Sequence, residues 1–222
     1  MPAASSSRPP STPERGPLAV DAKIRAVVFD VGRVLVEWDL RHLYAKLIHD
    51  EAALEAFLAT VVTPEWHFQH DAGRPLDEMV PERIAAFPQH RALIEAYRTR
   101  FLETIPGPVA GMEALVERLA VGAIPLFAIT NFGAEFWAQF RPTLPMLDRF
   151  ADIVVSGVEK LAKPDPAIFA LAARRFGFAP AEMLFIDDNA ANIASAAREG
   201  WQTHLFVDAG ALEAELVTRG LL

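Results

Sequence analysis

Short apolar runs rich in β-branched residues, each closed by a polar residue or a glycine, limit the folds open to this chain more than anything else in it. They lie at Ile24 to Phe29, Ile124 to Ile129, Ile153 to Val155, Met183 to Ile186 and Thr203 to Val207. Runs this short and this continuously apolar read as parallel strands buried on both faces. Between them stand segments with helical spacing: Val109 to Ala120, Ala134 to Phe140, Pro166 to Phe176, Ala190 to Glu199 and Ala211 to Val217. Strand and helix in alternation predict an α/β fold, a doubly wound parallel sheet covered by helices on both faces.

One connection breaks the rhythm. From the end of the first run to the start of the second the chain spends about 90 residues, where a crossover needs roughly 30. The surplus, residues 36–105, carries helical patterns at Arg41 to Ile48, Glu51 to Val61, Leu76 to Phe87 and Arg91 to Glu103. It is expected to be a helical cap inserted into a core made of residues 23–35 and 106–222. Pro106-Gly107-Pro108 punctuates the return.

Residues 1–22 hold five prolines among serines and too little apolar surface to order themselves, so they are expected as a disordered tail. That stretch lacks the apolar segment of a secretory signal, and no uninterrupted apolar run is long enough to span a bilayer. A cytoplasmic protein without membrane contact is the expectation. With Lys+Arg 21 against Asp+Glu 29, the net charge of −8 argues against a nucleic-acid partner gripped through its phosphates. No cysteine is present, which removes disulfides, thiolate metal sites and thiol nucleophiles together and leaves chemistry to oxygen and nitrogen.

Ligands of open α/β sheets bind beyond the carboxyl ends of the strands. There the sequence places Asp30 after the first run, Thr130 and Asn131 after the second, Lys163 in the loop after the third, and Asp187, Asp188 and Asn189 after the fourth. Any one of these reads equally well as a turn former or a helix N-cap. Together they supply a nucleophilic carboxylate, a hydroxyl with adjacent amides, a cation and an acidic pair. Those are the parts needed for phosphoryl transfer through an aspartyl intermediate assisted by Mg²⁺.

Four segments carry a resemblance: Val27-Val28-Phe29-Asp30-Val31-Gly32, Ala128-Ile129-Thr130-Asn131, Ala162-Lys163-Pro164-Asp165-Pro166 and Phe185-Ile186-Asp187-Asp188-Asn189-Ala190-Ala191-Asn192. In this order they resemble the four signature motifs of the haloacid dehalogenase (HAD) superfamily of hydrolases, and the helical insert is similar to that superfamily's type 1 cap. The Asp-x-Gly opening, Val36-Glu37-Trp38-Asp39 and the Asp-Asp-Asn ending look most like the subfamily of sugar-phosphate and nucleotide phosphatases that includes bacterial glucose-1-phosphate phosphatase. The resemblance implies a hydrolase of a small phosphorylated metabolite. It implies Asp30 as nucleophile and Mg²⁺ ligand, with the Gly32 carbonyl and Asp188 as further ligands and Asp187 close by. It gives Thr130 and the Asn131 amide the transferring group, gives Lys163 the charge balance, and leaves Asn192 to orient the acidic loop.

The departures are as informative. Most phosphatases of the superfamily carry a second aspartate two residues after the nucleophile, which protonates the leaving group and later activates water; here that position is Gly32, and Arg33 stands where a glycine is common. Loss of such a group costs roughly 10²- to 10⁴-fold in rate. Three explanations compete: a leaving group that needs no proton, a substitute from the cap such as His67, His70 or Asp71, or binding without turnover. Trp66, His67, His70, Asp71 and Arg74 form a polar and aromatic cluster expected in a loop between cap helices, with His67 and Arg74 as candidate substrate contacts. His42, His49, His90 and His204 are expected to be structural. A metal-free 2-haloacid dehalogenase is the alternative. Such enzymes typically have an aromatic residue in place of Gly32 and a tyrosine in place of Phe169, and lack the acidic pair. A catalytically impaired protein that binds phosphate ligands is the third reading.

Overall fold

Strands β1 (Ala26–Phe29), β2 (Leu126–Thr130), β3 (Asp152–Val155), β4 (Met183–Asp187) and β5 (Gln202–Leu205) pair in the order β3-β2-β1-β4-β5, every pair parallel. The computed structural model describes residues 23–222, so the expected tail at 1–22 lies outside the described residues. All five strands arise where the apolar runs predict them, and the parallel α/β sheet is the expected one.

Successive residues of a strand face opposite ways, and the sheet uses both directions. Val27, Phe29, Leu184 and Ile186 belong to one buried cluster. Ala26, Val28, Met183 and Phe185 belong to another. The second cluster is closed by α9 (Pro166–Phe176) and α10 (Ala190–Arg198), through Ile168, Phe169, Ala172 and Ala196. The first is closed by α6 (Met112–Val121), α7 (Ala134–Phe140) and α11 (Ala209–Thr218). A single turn, α8 (Ser156–Glu159), follows β3.

Between β1 and β2 lie α1 (Arg41–Tyr44), α2 (Glu51–Thr60), α3 (Pro64–Asp71), α4 (Leu76–Ala86) and α5 (Arg91–Thr99). Their buried residues, Tyr44, Leu54, Phe57, Leu76, Met79, Ile94 and Tyr97 among them, are continuous with the first face of the sheet. The helices therefore share a core with the sheet as well as covering it. The segments that enter and leave this module run side by side: the Glu37 amide donates to Gly107 O at 2.9 Å, Asp39 to Thr104 O at 3.1 Å and Val109 to Leu35 O at 3.0 Å.

Two expected helices are shorter than their patterns. The one from Arg41 stops at Tyr44, and Asp50 then starts α2 afresh by accepting from the Ala53 amide at 2.8 Å. The one from Arg91 ends at Thr99, where Arg100 leaves helical geometry and a 3₁₀ turn over Phe101–Thr104 follows. The loop expected around Trp66 to Asp71 is instead α3. Thr63 caps it by accepting from the Trp66 amide at 3.1 Å, and Pro64 occupies the first turn, where its missing N–H costs nothing. Among the described residues no helix is long and apolar enough to cross a membrane.

Candidate active site

The strand order reverses between β1 and β4, and the polar residues gather there. Asp30 follows β1 directly and takes its place through its own amide, which donates to Ile186 O at 2.8 Å. Its Oδ1 accepts from the Val31 amide at 2.6 Å. The wholly buried Lys163 side chain reaches in from the loop before α9, its Nζ lying 2.9 Å from Asp30 Oδ1 and 2.7 Å from Asp187 Oδ2. Asp187, the last residue of β4, has its two oxygens held further by the Asn189 amide at 2.8 Å and by Asn192 Nδ2 at 3.1 and 3.0 Å.

The lysine loop is fixed from two sides. Asn131 and Lys163 exchange reciprocal bonds, Asn131 Nδ2 to Lys163 O and the Lys163 amide to Asn131 Oδ1, both at 2.9 Å. Ser195 Oγ of α10 donates to Pro164 O at 2.6 Å. A buried ammonium on a four-carbon stem needs such a base if its position is to be reproducible.

Three carboxylates surround this single ammonium. Asp30, Asp187 and Asp188 each offer an oxygen, and these lie within 4.8 Å of one another. Burial raises the Asp30 carboxyl to about 7, against the pull of Lys163 and with the help of Asp187 and Asp188. Burial and the neighbouring Asp187 also raise Asp188. Burial pulls the Lys163 ammonium down, but Asp30 and Asp187 together outweigh it and hold the group above its usual range. Arg33, which also lines the cavity, pulls Asp188 the other way, so three carboxylates face one buried ammonium and one arginine, and the donors they offer are all oxygen. A hard divalent cation fits that donor set.

A cavity of about 290 Å³ opens over the cluster, with Asp30, Gly32, Asn131, Lys163 and Asp188 on its floor. Thr130 ends β2 buried beside it, while Asn131 and Phe132 supply the lining at that point. The opposite wall comes from the module between β1 and β2 and is mostly apolar, with Trp38, Phe68, Phe101 and Ile105. His67 and Asp71 are its polar members. His67 is stacked between Trp38 and Phe101, at 4.9 and 5.7 Å between ring centroids. Its Nδ1 lies 2.7 Å from Tyr97 Oη and its Nε2 3.2 Å from Asp71 Oδ2. Arg33 lies over the Trp38 ring at 5.0 Å and lines the same cavity.

Arg74, expected beside His67, does not line the cavity. Glu78 and Glu82, on successive turns of α4, take up its guanidinium together with Gln69 Oε1. His70 also turns away: its ring is buried against Phe136 and Gly133, with Nδ1 2.9 Å from Arg74 O. Tyr97 and Phe101 were not legible as site residues, because each is an ordinary apolar position of a helical pattern some 30 residues from His67.

A hydrogen-bonded bridge joins wall to floor. The Phe132 amide donates to Ser156 Oγ at 2.9 Å, and Ser156 Oγ donates to Asp71 O at 2.5 Å. Gly133 lies in the same seam, and a Cβ built there would sit 2.0 Å from His70 Cδ2.

Among curated proteins, mouse acyl-CoA dehydrogenase family member 10 is 28% identical over 197 residues, a match covering 81% of this chain but only 17% of the mouse protein. The sesquiterpene phosphatase astK of Aspergillus oryzae is 25% identical over 180 residues, covering 79% of this chain and 86% of that enzyme. In fold, the chain is similar to a predicted HAD-like family hydrolase of Porphyromonas gingivalis, with a TM-score of 0.69 at 23% identity, covering 90% of this chain and 98% of the other. A HAD-family enzyme of Bacteroides thetaiotaomicron in complex with magnesium and inorganic phosphate gives 0.63 at 20% identity, covering 83% and 95%. The L-2-haloacid dehalogenase of Xanthobacter autotrophicus gives 0.59 at 17% identity, covering 90% and 84%. Residues 24–200 match the family described as haloacid dehalogenase-like hydrolase, so a parallel sheet with aspartate, lysine and paired aspartates at one edge has its explanation: this chain belongs to the haloacid dehalogenase-like hydrolases.

Proposed function

We propose that the protein is a cytoplasmic, Mg²⁺-dependent phosphatase of a small phosphorylated metabolite, working through an aspartyl-phosphate at Asp30. The observation that carries this reading is the single buried ammonium of Lys163 set between Asp30 and Asp187 with Asp188 alongside. Three clustered carboxylates with Lys163 and Arg33 beside them are suited to a cation and an anionic substrate bound together.

In this reading Asp30, Asp188 and the Gly32 carbonyl would hold the ion, with Asp187 alongside. Bound there, Mg²⁺ supplies the positive charge that lets a carboxylate approach a phosphate dianion. Asp30 attacks phosphorus through one carboxylate oxygen. Lys163 offsets charge between nucleophile and phosphate, while Thr130 and the Asn131 amide hold the transferring group. Asp187 acts through Lys163, which it orients. Water then cleaves the acyl phosphate and releases inorganic phosphate.

The module at 36–105 is a type 1 cap in this reading and selects the substrate, with His67 on the selecting wall. The motif resemblance to the glucose-1-phosphate phosphatase subfamily rests on the Asp-x-Gly opening, Val36-Glu37-Trp38-Asp39 and the Asp-Asp-Asn ending, which say little of the alcohol. Trp38, Phe68, Phe101 and Ile105 instead favour an alcohol less hydroxylated than a sugar, and the sesquiterpene phosphatase among the relatives is in keeping with that. The dehalogenase alternative draws on likeness of fold, to the Xanthobacter enzyme and to other dehalogenase structures. It lacks support at Phe169, which packs in the core 5.3 Å from Phe185.

Hydrolysis of p-nitrophenyl phosphate with Mg²⁺, with EDTA, and by Asp30→Asn tests the proposal. Metal-dependent turnover abolished by Asp30→Asn is expected. Absence of metal-dependent turnover, or equal activity of the variant, rejects it; halide release from 2-chloropropionate in EDTA would establish the dehalogenase instead.

A further inference from the structure

The core of this site has no proton donor where the leaving group must depart, because the second position after Asp30 is Gly32. Across the same cavity stand three buried titratable side chains in a row: Tyr97 Oη is hydrogen-bonded to His67 Nδ1 at 2.7 Å, and His67 Nε2 lies 3.2 Å from Oδ2 of Asp71, which lines the cavity. We infer that Asp71, held by His67 and Tyr97, is the general acid and base of the reaction, supplied by the wall opposite the nucleophile. The inference rests on the phosphatase reading and adds to it the residue that moves the proton.

The chain has a direction. The negative charge of Asp71 favours a hydrogen on His67 Nε2, the nitrogen that faces it, which leaves Nδ1 to accept from the Tyr97 hydroxyl. Stacking between Trp38 and Phe101 fixes the ring plane. One Asp71 oxygen thereby faces the imidazole, and the other is left for a group in the cavity that Asp71 lines. The main-chain oxygen of Asp71 is tied to Ser156, so its backbone keeps a fixed height above the floor.

In the first half, an Asp30 oxygen bonds to phosphorus, the P–O bond to the alcohol breaks, and the departing oxygen takes its proton from the Asp71 carboxyl. In the second half, water bonds to phosphorus as the Asp30–phosphorus bond breaks. The proton lost by that water returns to Asp71, which is ready for the next turnover.

A proton donor matters in proportion to how badly the leaving group needs one. The test compares p-nitrophenyl phosphate, whose phenolate departs unaided, with benzyl phosphate, whose alkoxide does not, for wild type, Asp71→Asn and Tyr97→Phe with Mg²⁺ present. Asp71→Asn is expected to lower kcat on benzyl phosphate by about 10²- to 10⁴-fold, at least tenfold more than on p-nitrophenyl phosphate, with KM little changed. Tyr97→Phe keeps the ring and breaks the chain one link further out; it is expected to show the same selective loss to a smaller degree. Equal losses on the two esters in both variants would make the chain merely structural and overturn the inference. So would unchanged benzyl phosphate turnover, or a wild type that cleaves only the p-nitrophenyl ester. A wild type that cleaves neither ester overturns the phosphatase reading itself.

Discussion

Replacing Gly133 by alanine tests whether the wall and the floor of the cavity are locked by shape. The backbone at Gly133, φ −63 and ψ 136, suits any residue, so only the added methyl is at issue. It would stand 2.0 Å from Cδ2 and 2.2 Å from Nε2 of His70, and the ring must retreat by more than 1 Å. It has nowhere to go: His70 is 2% exposed and meets the edge of Phe136 at 4.7 Å. Overpacking by one methyl costs about 1–3 kcal/mol, and a ring caught this tightly belongs at the upper end. For a chain of this size each kcal/mol moves Tm by about 2–4 °C, so Gly133→Ala should melt roughly 6–12 °C below wild type. The decisive comparison is the double variant. His70→Ala alone leaves a cavity, yet it also removes a buried Nε2 that has no hydrogen-bond partner among the described residues. With His70→Ala present, Gly133→Ala should regain at least about 1 kcal/mol, a coupling that urea denaturation of all four proteins resolves. Additive effects, or a neutral Gly133→Ala, would refute the claim that these residues fill one notch.

Lys163→Met should destabilise the metal-free protein by about 3–5 kcal/mol, because it strands Asp30 and Asp187 without their buried counter-charge; a loss below 1 kcal/mol in chemical denaturation contradicts this. Mg²⁺ should raise Tm with increasing concentration and Asp188→Asn should blunt that rise, since only the folded state assembles the oxygen donors; calorimetry showing no metal effect on wild type would oppose it. Ser156→Ala should cost about 1–3 kcal/mol by leaving the Phe132 amide and Asp71 O unpaired in the seam, and an unchanged denaturation midpoint would argue against the bridge. Both tyrosines of the chain, Tyr44 and Tyr97, are buried, and burial holds both phenols above their usual range. The folded state keeps protons that the unfolded state releases near pH 10, so stability is complete below about pH 10 and falls above it. Tyrosinate absorbance should therefore appear together with loss of near-UV circular dichroism; ionisation in a still-folded protein would be the contrary result.

The sheet was readable because burial on both faces leaves strands such as Val27 to Phe29 and Leu184 to Ile186 no polar position, a pattern little else produces. The floor of the site was readable for a related reason. Topology brings the ends of β1, β2 and β4 together whatever lies between them, so Asp30, Asn131, Lys163 and Asp187 meet as their places along the chain imply. The wall was not. Thr63-Pro64 is a helix start that a polar, aromatic sequence concealed, and α3 rather than a loop decides that His67 and Asp71 face inward while His70 faces the core. Arg74 illustrates the limit of reading charge type alone. An arginine able to bind an anionic substrate is equally able to bind Glu78 and Glu82, and only the direction of α4 settles which it meets.

The bridge from Phe132 through Ser156 to Asp71 leaves this enzyme little freedom to evolve its selectivity in isolation. Phe132 is next to Asn131, and Asn131 clasps the main chain of Lys163. If the proposed reading holds, any remodelling of α3 for a new alcohol would be transmitted through one serine hydroxyl to the strand end that steadies the ammonium. Variants chosen for altered preference should therefore bring altered turnover with them.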